Sequence, residues 1–534
     1  MQPSTKKNLI IAACYAGTMV LGMIVGPKFQ KENASTKPGS FNPFLREEKT
    51  EKVERVLNII EENYVDPVQI DSMQDMAINQ ILKKLDPHSS YLPPVEAKRF
   101  SEDLDGNYSG IGVEYQLLND TVFVTSLNHN GPAAKAGLKT GDQILQVDSK
   151  NIAGRGITTK RIISLIKGPR GTEVKLHVSR NGELKDIVVK RDKITISSID
   201  AAFPLSDNIG YIKISKFGAR TNDDFASELQ RLQKKGINSL ILDLRGNGGG
   251  YLNAATALAD QFLADKKLIV YTEGKHEPRT DYLATEEGLF EKGKLIVLID
   301  ENSASASEIL AGAIQDLDRG LIIGRRSFGK GLVQEQFNFG DGSALNLTVA
   351  RYFTPSGRSI QKPYKEGKDK YFQEVAERYK NGEVKGKLIS ALINKGKTFK
   401  TSGGRMIYGG GGITPDIFIP IDSTVYNEFY YSMNAKGILT EFVFKSIAGL
   451  IHPIDLNQFV SEFSLSDTQY SKLISLAASR GLKFKNKEAD NAKPAINTQV
   501  KAIAARYYYG DEGFYLAKNV EDKVIAKALE AIKK

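Results

Sequence analysis

Three patterns in the 534-residue sequence predict an α/β core preceded by a β-rich module, with helical regions on both flanks. From about 194 to 363, strand-like and helix-like runs alternate, which is how an α/β core with a substantial parallel sheet is written. From 108 to 193, short runs of alternating apolar and polar residues are separated by turn residues. From 47 to 107 and again from 425 to 534, apolar residues recur at helical spacing.

The N-terminal segment, 1–27, reads as a membrane anchor or signal. Lys6 and Lys7 precede an apolar stretch at 9–25, closed by Gly26-Pro27. The stretch is short for a membrane span and long for the apolar part of a cleaved signal. An uncleaved anchor is expected, with the body exported to the cell envelope or periplasm; a cleaved signal is the alternative. Residues 28–46 are polar and read as a linker. In the helical module, 47–107, the positions Val53, Val56, Leu57, Ile60 and Tyr64 share one helical face at 48–64. A second helix is expected at 72–85, after which Pro87, Pro93 and Pro94 break the pattern.

In the β-rich module the expected strands lie at 111–117, 121–127, 143–147, 174–178 and 185–189, with Asn119-Asp120 and Asn181-Gly182 as hairpin turns. Gly131-Pro132-Ala133-Ala134-Lys135-Ala136-Gly137-Leu138, followed by Gly141-Asp142-Gln143-Ile144-Leu145 and a helix at 159–166, resembles the signature of a PDZ domain. The resemblance implies binding of an extended C-terminal peptide as an added strand. Its carboxylate-binding loop would include Gly110, Ile111 and Gly112. A PDZ module that only holds its neighbours together is the alternative.

Composition narrows the chemistry. Lys+Arg 73 against Asp+Glu 63 leaves a net charge of +10, without a long basic block. No basic motif is interleaved with aromatics, so no nucleic-acid partner is expected. The one cysteine, Cys14, lies in the apolar segment, so the body has neither disulfides nor a thiol nucleophile. No His, Asp or Glu cluster has metal-ligand spacing, and no cofactor is expected.

In the core, 194–424, strands are expected at 209–215, 240–244, 268–271, 295–299, 321–323 and 345–352, and helices at 222–235, 252–263 and 305–317. A charged insertion at about 365–400 precedes Gly410-Gly411-Gly412-Ile413-Thr414-Pro415-Asp416. Ser305 sits in Ser303-Ala304-Ser305-Ala306-Ser307-Glu308, at a strand-to-helix junction. Small neighbours let a peptide approach it, and the helix N-terminus places the Ala306 N–H to stabilise an oxyanion. Asp243-Leu244-Arg245 leads into the glycine turn 246–250, which offers a second N–H from Gly249. A phosphate loop would end in Gly-Lys-Ser/Thr, and this one does not. The five histidines, His88, His129, His177, His276 and His452, lie outside these core motifs. The base is therefore sought in Lys330, within Phe328-Gly329-Lys330-Gly331, where desolvation lowers an ammonium pKa. Gln334 stands four residues on, placed to orient the amine.

Taken together, the stretches from Asp86-Pro87-His88-Ser89-Ser90-Tyr91 through the PDZ signature to Thr414-Pro415-Asp416 resemble the C-terminal processing peptidases, or tail-specific proteases. The resemblance implies a protease core related to the crotonase-like fold, with an inserted PDZ domain. It implies Ser305 as nucleophile, Lys330 as general base, Gln334 as its support, and the Gly249 and Ala306 amides as oxyanion donors. It also implies endoproteolysis of proteins or peptides with exposed C-termini, recognised or gated by the PDZ domain, and an adaptor or homo-oligomer as a possible partner. Many members carry Arg-Gly where this chain has Lys167-Gly168. The rivals are a catalytically silent PDZ scaffold and an acyl-transfer or thioester enzyme. For 365–400 and 425–534 no motif is legible.

Overall fold

The computed structural model describes residues 43–534 apart from 119, 129, 155, 387–396 and 451–454. The candidate anchor at 9–25 therefore lies outside the described residues. Among those residues, no helix is long and apolar enough to cross a membrane. The chain divides into two compact units, 1–78 and 79–534. The first holds the helix Pro43–Asn63 and the start of the helix Ile70–Leu82. On the former, Leu57 is buried, while Val53, Val56 and Ile59 are more than half exposed.

The second unit is built on a six-stranded sheet. Its order is Ile199–Ser206, Ile209–Ile214, Ser239–Asp243, Lys294–Ile299, Leu321–Gly324 and Ile417–Phe418. The first pair is antiparallel and the remaining four pairings are parallel. The central strands are largely apolar because both faces are covered. Ile212, Leu240, Leu242 and Val297 pack with Phe225, Leu229, Leu258 and Leu310 from the helices Thr221–Gln233, Leu252–Asp260 and Ala306–Asp316. On the opposite face Tyr211, Ile241, Ile296 and Leu298 meet Val524, Ile525, Ala528 and Ile532 of the C-terminal helix Lys523–Lys533.

The runs at 268–271 and 345–352 do not join this sheet. They form a second, antiparallel sheet, in which Ala344–Phe353 pairs with Leu332–Asn338, Ser90–Leu92 and Leu268–Glu273, and the last of these with Thr280–Leu283. Leu332–Asn338 and Ala344–Phe353 are joined by too few residues for a parallel crossover, which requires a dozen or more. Ser90–Leu92 adds a strand where only helix and proline breaks were legible, and it carries the segment from Asp86 onto the core.

The PDZ sheet runs Val113–Leu118, Thr121–Leu127, Gln143–Val147, Glu173–Arg180, Glu183–Lys190. Asn181 and Gly182, at φ 52° and 89°, make the tight turn of its last hairpin. The helix Thr159–Ile166 buries Ile162, Leu165 and Ile166 against the sheet. Asn107–Gly110 pairs with Asp192–Thr195 as the two-stranded neck of the module. The described residues from Glu428 to Asn519 form helices around their own apolar cluster, and Phe444 stacks on Phe123 of the PDZ sheet at 6.1 Å. Within 365–400 the helix Lys368–Lys380 is described; residues 387–396 lie outside the described set.

Candidate active site

Within the run 303–308, Ser305 alone is not buried. It caps the helix Ala306–Asp316 with φ 54° and ψ −112°. A side chain is strained in that region, and such strain gathers at functional sites. A sharp strand-to-helix turn of this kind lifts a serine clear of its sheet. Ser307, two residues on, is buried and donates to the Asn247 carbonyl at 2.9 Å.

A cavity of ≈ 580 Å³ brings Ser305, Ala306, Gly249, Lys330 and Gln334 together. Lys330 donates from Nζ to Gln334 Oε1 at 2.8 Å, and Gln334 Nε2 donates to the His88 carbonyl at 2.7 Å. The amide is thereby fixed with its oxygen toward the amine. No hydrogen bond joins Lys330 Nζ to Ser305 Oγ in this arrangement; both face the same cavity. Burial lowers the Lys330 pKa to about 8, against the opposing fields of Asp86 and Glu308.

The turn 246–250 lies hard against the serine. A Cβ on Gly249, at φ 102°, would come within 2.7 Å of the Ala304 carbonyl oxygen and 2.8 Å of Ser305 Cβ. Only glycine permits that approach. The Gly249 N–H, expected to face an oxyanion, instead donates to Asn247 Oδ1 at 2.9 Å. The Ala306 N–H, at the first helical position, has no such intrahelical acceptor.

Several side chains around the site were not assigned from sequence. Glu308 is fully buried and accepts from Ser305 N at 2.9 Å, Lys330 N at 2.8 Å, Gly329 N at 2.7 Å and Ser327 Oγ at 2.5 Å. It therefore pins the serine turn to the lysine turn. The Ser-x-x-Glu spacing of a capping box carried that signal. Burial raises the Glu308 pKa, with these hydrogen bonds opposing. Tyr352 donates to the Lys330 carbonyl at 2.7 Å and the Ser305 carbonyl at 3.2 Å.

His88, one of the histidines placed outside the core motifs, lines the cavity. Its Nε2 lies 2.9 Å from the Tyr371 hydroxyl, and burial with the nearby Lys330 charge lowers its pKa to about 3. It is thus a neutral wall residue whose carbonyl orients Gln334. Asp86 holds the His88 and Ser89 amides at 2.8 and 2.9 Å.

The PDZ loop lies apart from this cavity. Ile111 is buried, its carbonyl accepting from Ala133 N at 2.9 Å, and the Gly112 carbonyl accepts from Asn128 N at 3.0 Å. Gly110 closes the neck strand. A neighbouring cavity of ≈ 440 Å³ is lined by Tyr108, Ile163 and Lys167 of the PDZ module, and it shares Leu92, Phe100 and Asp103 with the serine cavity. Lys167 Nζ meets Glu102 at 2.8 Å and lies 4.4 Å from the Tyr108 ring centre. Among the described residues no group of His, Cys, Asp and Glu could hold a metal ion.

Residues 208–367 match the model of peptidase family S41, 109–190 that of the PDZ domain, and 429–510 that of a family of unknown function (DUF8443). A probable CtpA-like serine protease of Staphylococcus epidermidis is 34% identical over 313 residues, which cover 58% of this chain and 62% of that protein. A probable CtpA-like serine protease of Staphylococcus aureus matches to the same extent. The chain thus matches these curated relatives over 62% of their length. Among solved structures, a photosystem II D1 C-terminal processing protease is 26% identical with TM-score 0.35, covering 69% of this chain and 88% of that one. The PDZ domain of a Vibrio cholerae carboxy-terminal protease, in complex with peptide, is 32% identical with TM-score 0.16, covering 17% of this chain and 99% of that one. With an S41 segment following a PDZ domain and CtpA-like serine proteases among its relatives, the chain is similar to the C-terminal processing peptidases.

Proposed function

We propose that the chain is a serine endopeptidase that cleaves proteins near their C-termini, with Ser305 as nucleophile and Lys330 as general base. The observation that carries this reading is one cavity holding the only unburied residue of the run 303–308 and a lysine whose pKa burial lowers to about 8. A neutral Lys330 that donates one N–H to Gln334 keeps its lone pair for the Ser305 proton. Attack on the peptide carbonyl places negative charge beside the Ala306 N–H. In this reading the Gly249 N–H leaves Asn247 and joins it. The lysine ammonium then protonates the leaving amine, and the neutral amine activates water to release the acyl group.

The PDZ module would hold the substrate's C-terminus, and the shared wall of Leu92, Phe100 and Asp103 supports a path from one cavity to the other. An envelope location with an N-terminal anchor is part of the proposal and rests on Lys6, Lys7 and the apolar run 9–25.

The test is cleavage of a peptide with an apolar C-terminus. Ser305→Ala and Lys330→Ala are expected to lose roughly 10⁴-fold or more in kcat/KM. Ser307→Ala, which removes one buried hydrogen bond, is expected to stay within about ten-fold. Equal losses at 305 and 307 would show that the wrong serine was chosen. A wild-type protein that binds such peptides but never cuts them would favour the silent scaffold.

A further inference from the structure

We propose that Asp522, at the start of the C-terminal helix, is a positioning residue for this reaction: through Arg245 it holds the base of the glycine turn whose tip abuts Ser305. The proposal rests on Ser305 and Lys330 acting as nucleophile and base.

Asp522 has two tasks, one for each oxygen. Its Oδ1 caps the helix Lys523–Lys533, accepting from Val524 N at 2.8 Å and Ile525 N at 3.3 Å. Its Oδ2 accepts from Arg245 Nη1 at 2.7 Å, across 277 residues of sequence. The rest of the guanidinium faces Asp243, with Nη2 to Oδ2 at 2.6 Å and Nε at 3.0 and 3.1 Å. Asp243 ends a central strand and also accepts from Tyr211 Oη at 2.8 Å. Lys213 donates to the Arg245 carbonyl. The fork of Arg245 is thus clamped between a carboxylate of the core and a carboxylate of the tail. Paired, charge-assisted bonds of this kind fix orientation as well as energy.

The turn beyond Arg245 needs such a clamp. Of residues 246–250, four are glycine, with φ values of 72°, 102° and 147° at Gly246, Gly249 and Gly250. Glycine has no side chain to hold its own conformation. The turn is therefore set by what grips it: Arg245 at the base, Asp300 Oδ1 on Gly246 N at 2.9 Å, the Asn247 side chain within it, and the amides of Ala304 and Phe217, which donate to the Asn247 and Gly249 carbonyls at 3.0 and 2.9 Å. A tail that lies on the far face of the sheet from the nucleophile helix thereby reaches the oxyanion turn through one arginine. Lys518 and Glu521 line the same cavity as Arg245 and Asp522, so charge changes there act on the same pair.

The test uses the full chain and Asp522→Asn. Asparagine still caps a helix, but it no longer offers Arg245 a charge. The expected result is a kcat lowered roughly ten- to hundred-fold, as for a small misplacement of reacting groups, with KM nearly unchanged. In an Arg245→Gln background the same change is expected to add nothing, because the arginine is the route of action. Asp522→Glu is expected to restore part of kcat. If Asp522→Asn does not fold, Asp522→Ser, which also caps, is measured in its place. An unchanged kcat overturns the proposal. So does a loss of equal size with and without Arg245, which marks mere tail stability. Ser305→Ala cleaving as fast as wild type would overturn the serine–lysine mechanism itself, whatever Asp522 does. A normal Ser305 requirement with an unaffected Asp522 variant removes this inference alone.

Discussion

Two lysines of the core, Lys330 and Lys362, differ in what their ammonium groups meet. Lys362 is buried, meets the Glu374 carboxylate at 2.9 Å, and lies 3.8 and 4.4 Å from the Phe328 and Tyr371 ring centres. Lys330 meets only the neutral amide of Gln334, at 2.8 Å. Burial lowers the pKa of both; at Lys362 a directly paired carboxylate opposes it, whereas at Lys330 only the fields of Asp86 and Glu308 do, and the value is brought to about 8. A carboxylate and two rings favour the charged form of a lysine. In the proposed mechanism, a neutral acceptor leaves Lys330 able to give its proton up and take it back. The main chains of the two regions are tied, with Lys362 N donating to the Gly329 carbonyl at 3.0 Å.

The sharpest way to break this contrast is arginine at each position. Lys330→Arg keeps the charge but cannot deprotonate, and kcat/KM is expected to fall by roughly 10⁴-fold. Lys362→Arg retains what its carboxylate and rings bind, and activity is expected within about ten-fold of wild type. Similar losses in peptide-cleavage assays of the two variants would erase the distinction.

Glu374 offers the next test. It accepts from Lys362, Arg326 and Arg378 at 2.8–2.9 Å; burial pushes its pKa up, but Arg378, Arg326 and Lys362 hold it down to about 2. Glu374→Gln is expected to cost about 3 kcal/mol in urea unfolding at neutral pH, the scale for breaking a buried pair. Because the folded pKa is depressed, this stabilisation is present above the ordinary carboxylate pKa and is lost as pH falls toward 2. The gap between wild type and variant is expected to narrow over that window. A gap independent of pH would assign the loss to packing.

The smallest effect is expected from Gln334→Glu, which gives Lys330 the kind of partner Lys362 has. An added negative charge favours the ammonium, so the alkaline rise in kcat/KM, expected near pH 8 in wild type, moves up by about 1–3 units. A profile that stays in place would remove Lys330 as the titrating group.

The elements legible in the sequence were those whose signals are local. Alternating runs and the Asn181-Gly182 turn marked PDZ strands, and the alanine-flanked serine and glycine-framed lysine marked two corners of the cavity. What escaped depends on long-range closure. His88 reaches Gln334 across 246 residues because Ser90–Leu92 pairs with Ala344–Phe353. The apolar runs at 268–271 and 345–352 look like buried parallel strands, since composition does not encode which sheet a strand joins. Gly249 lies beside Ser305 as its turn suggests, but the direction of its N–H is decided by Asn247, and a glycine-rich stretch says nothing of peptide orientation. Glu308 was in plain view, and its cap spacing outweighs its charge as a clue.

Ser305 itself carries a consequence. A serine held at φ 54° and ψ −112° works against its own backbone, by roughly 1–3 kcal/mol for a residue in so sparse a region. Folding must bear that load whether or not a substrate is ever met. If Ser305 is the nucleophile as proposed, a descendant of this chain released from the need to cut would gain by placing glycine at 305, and the drift to glycine there would be the first mark of a retired enzyme.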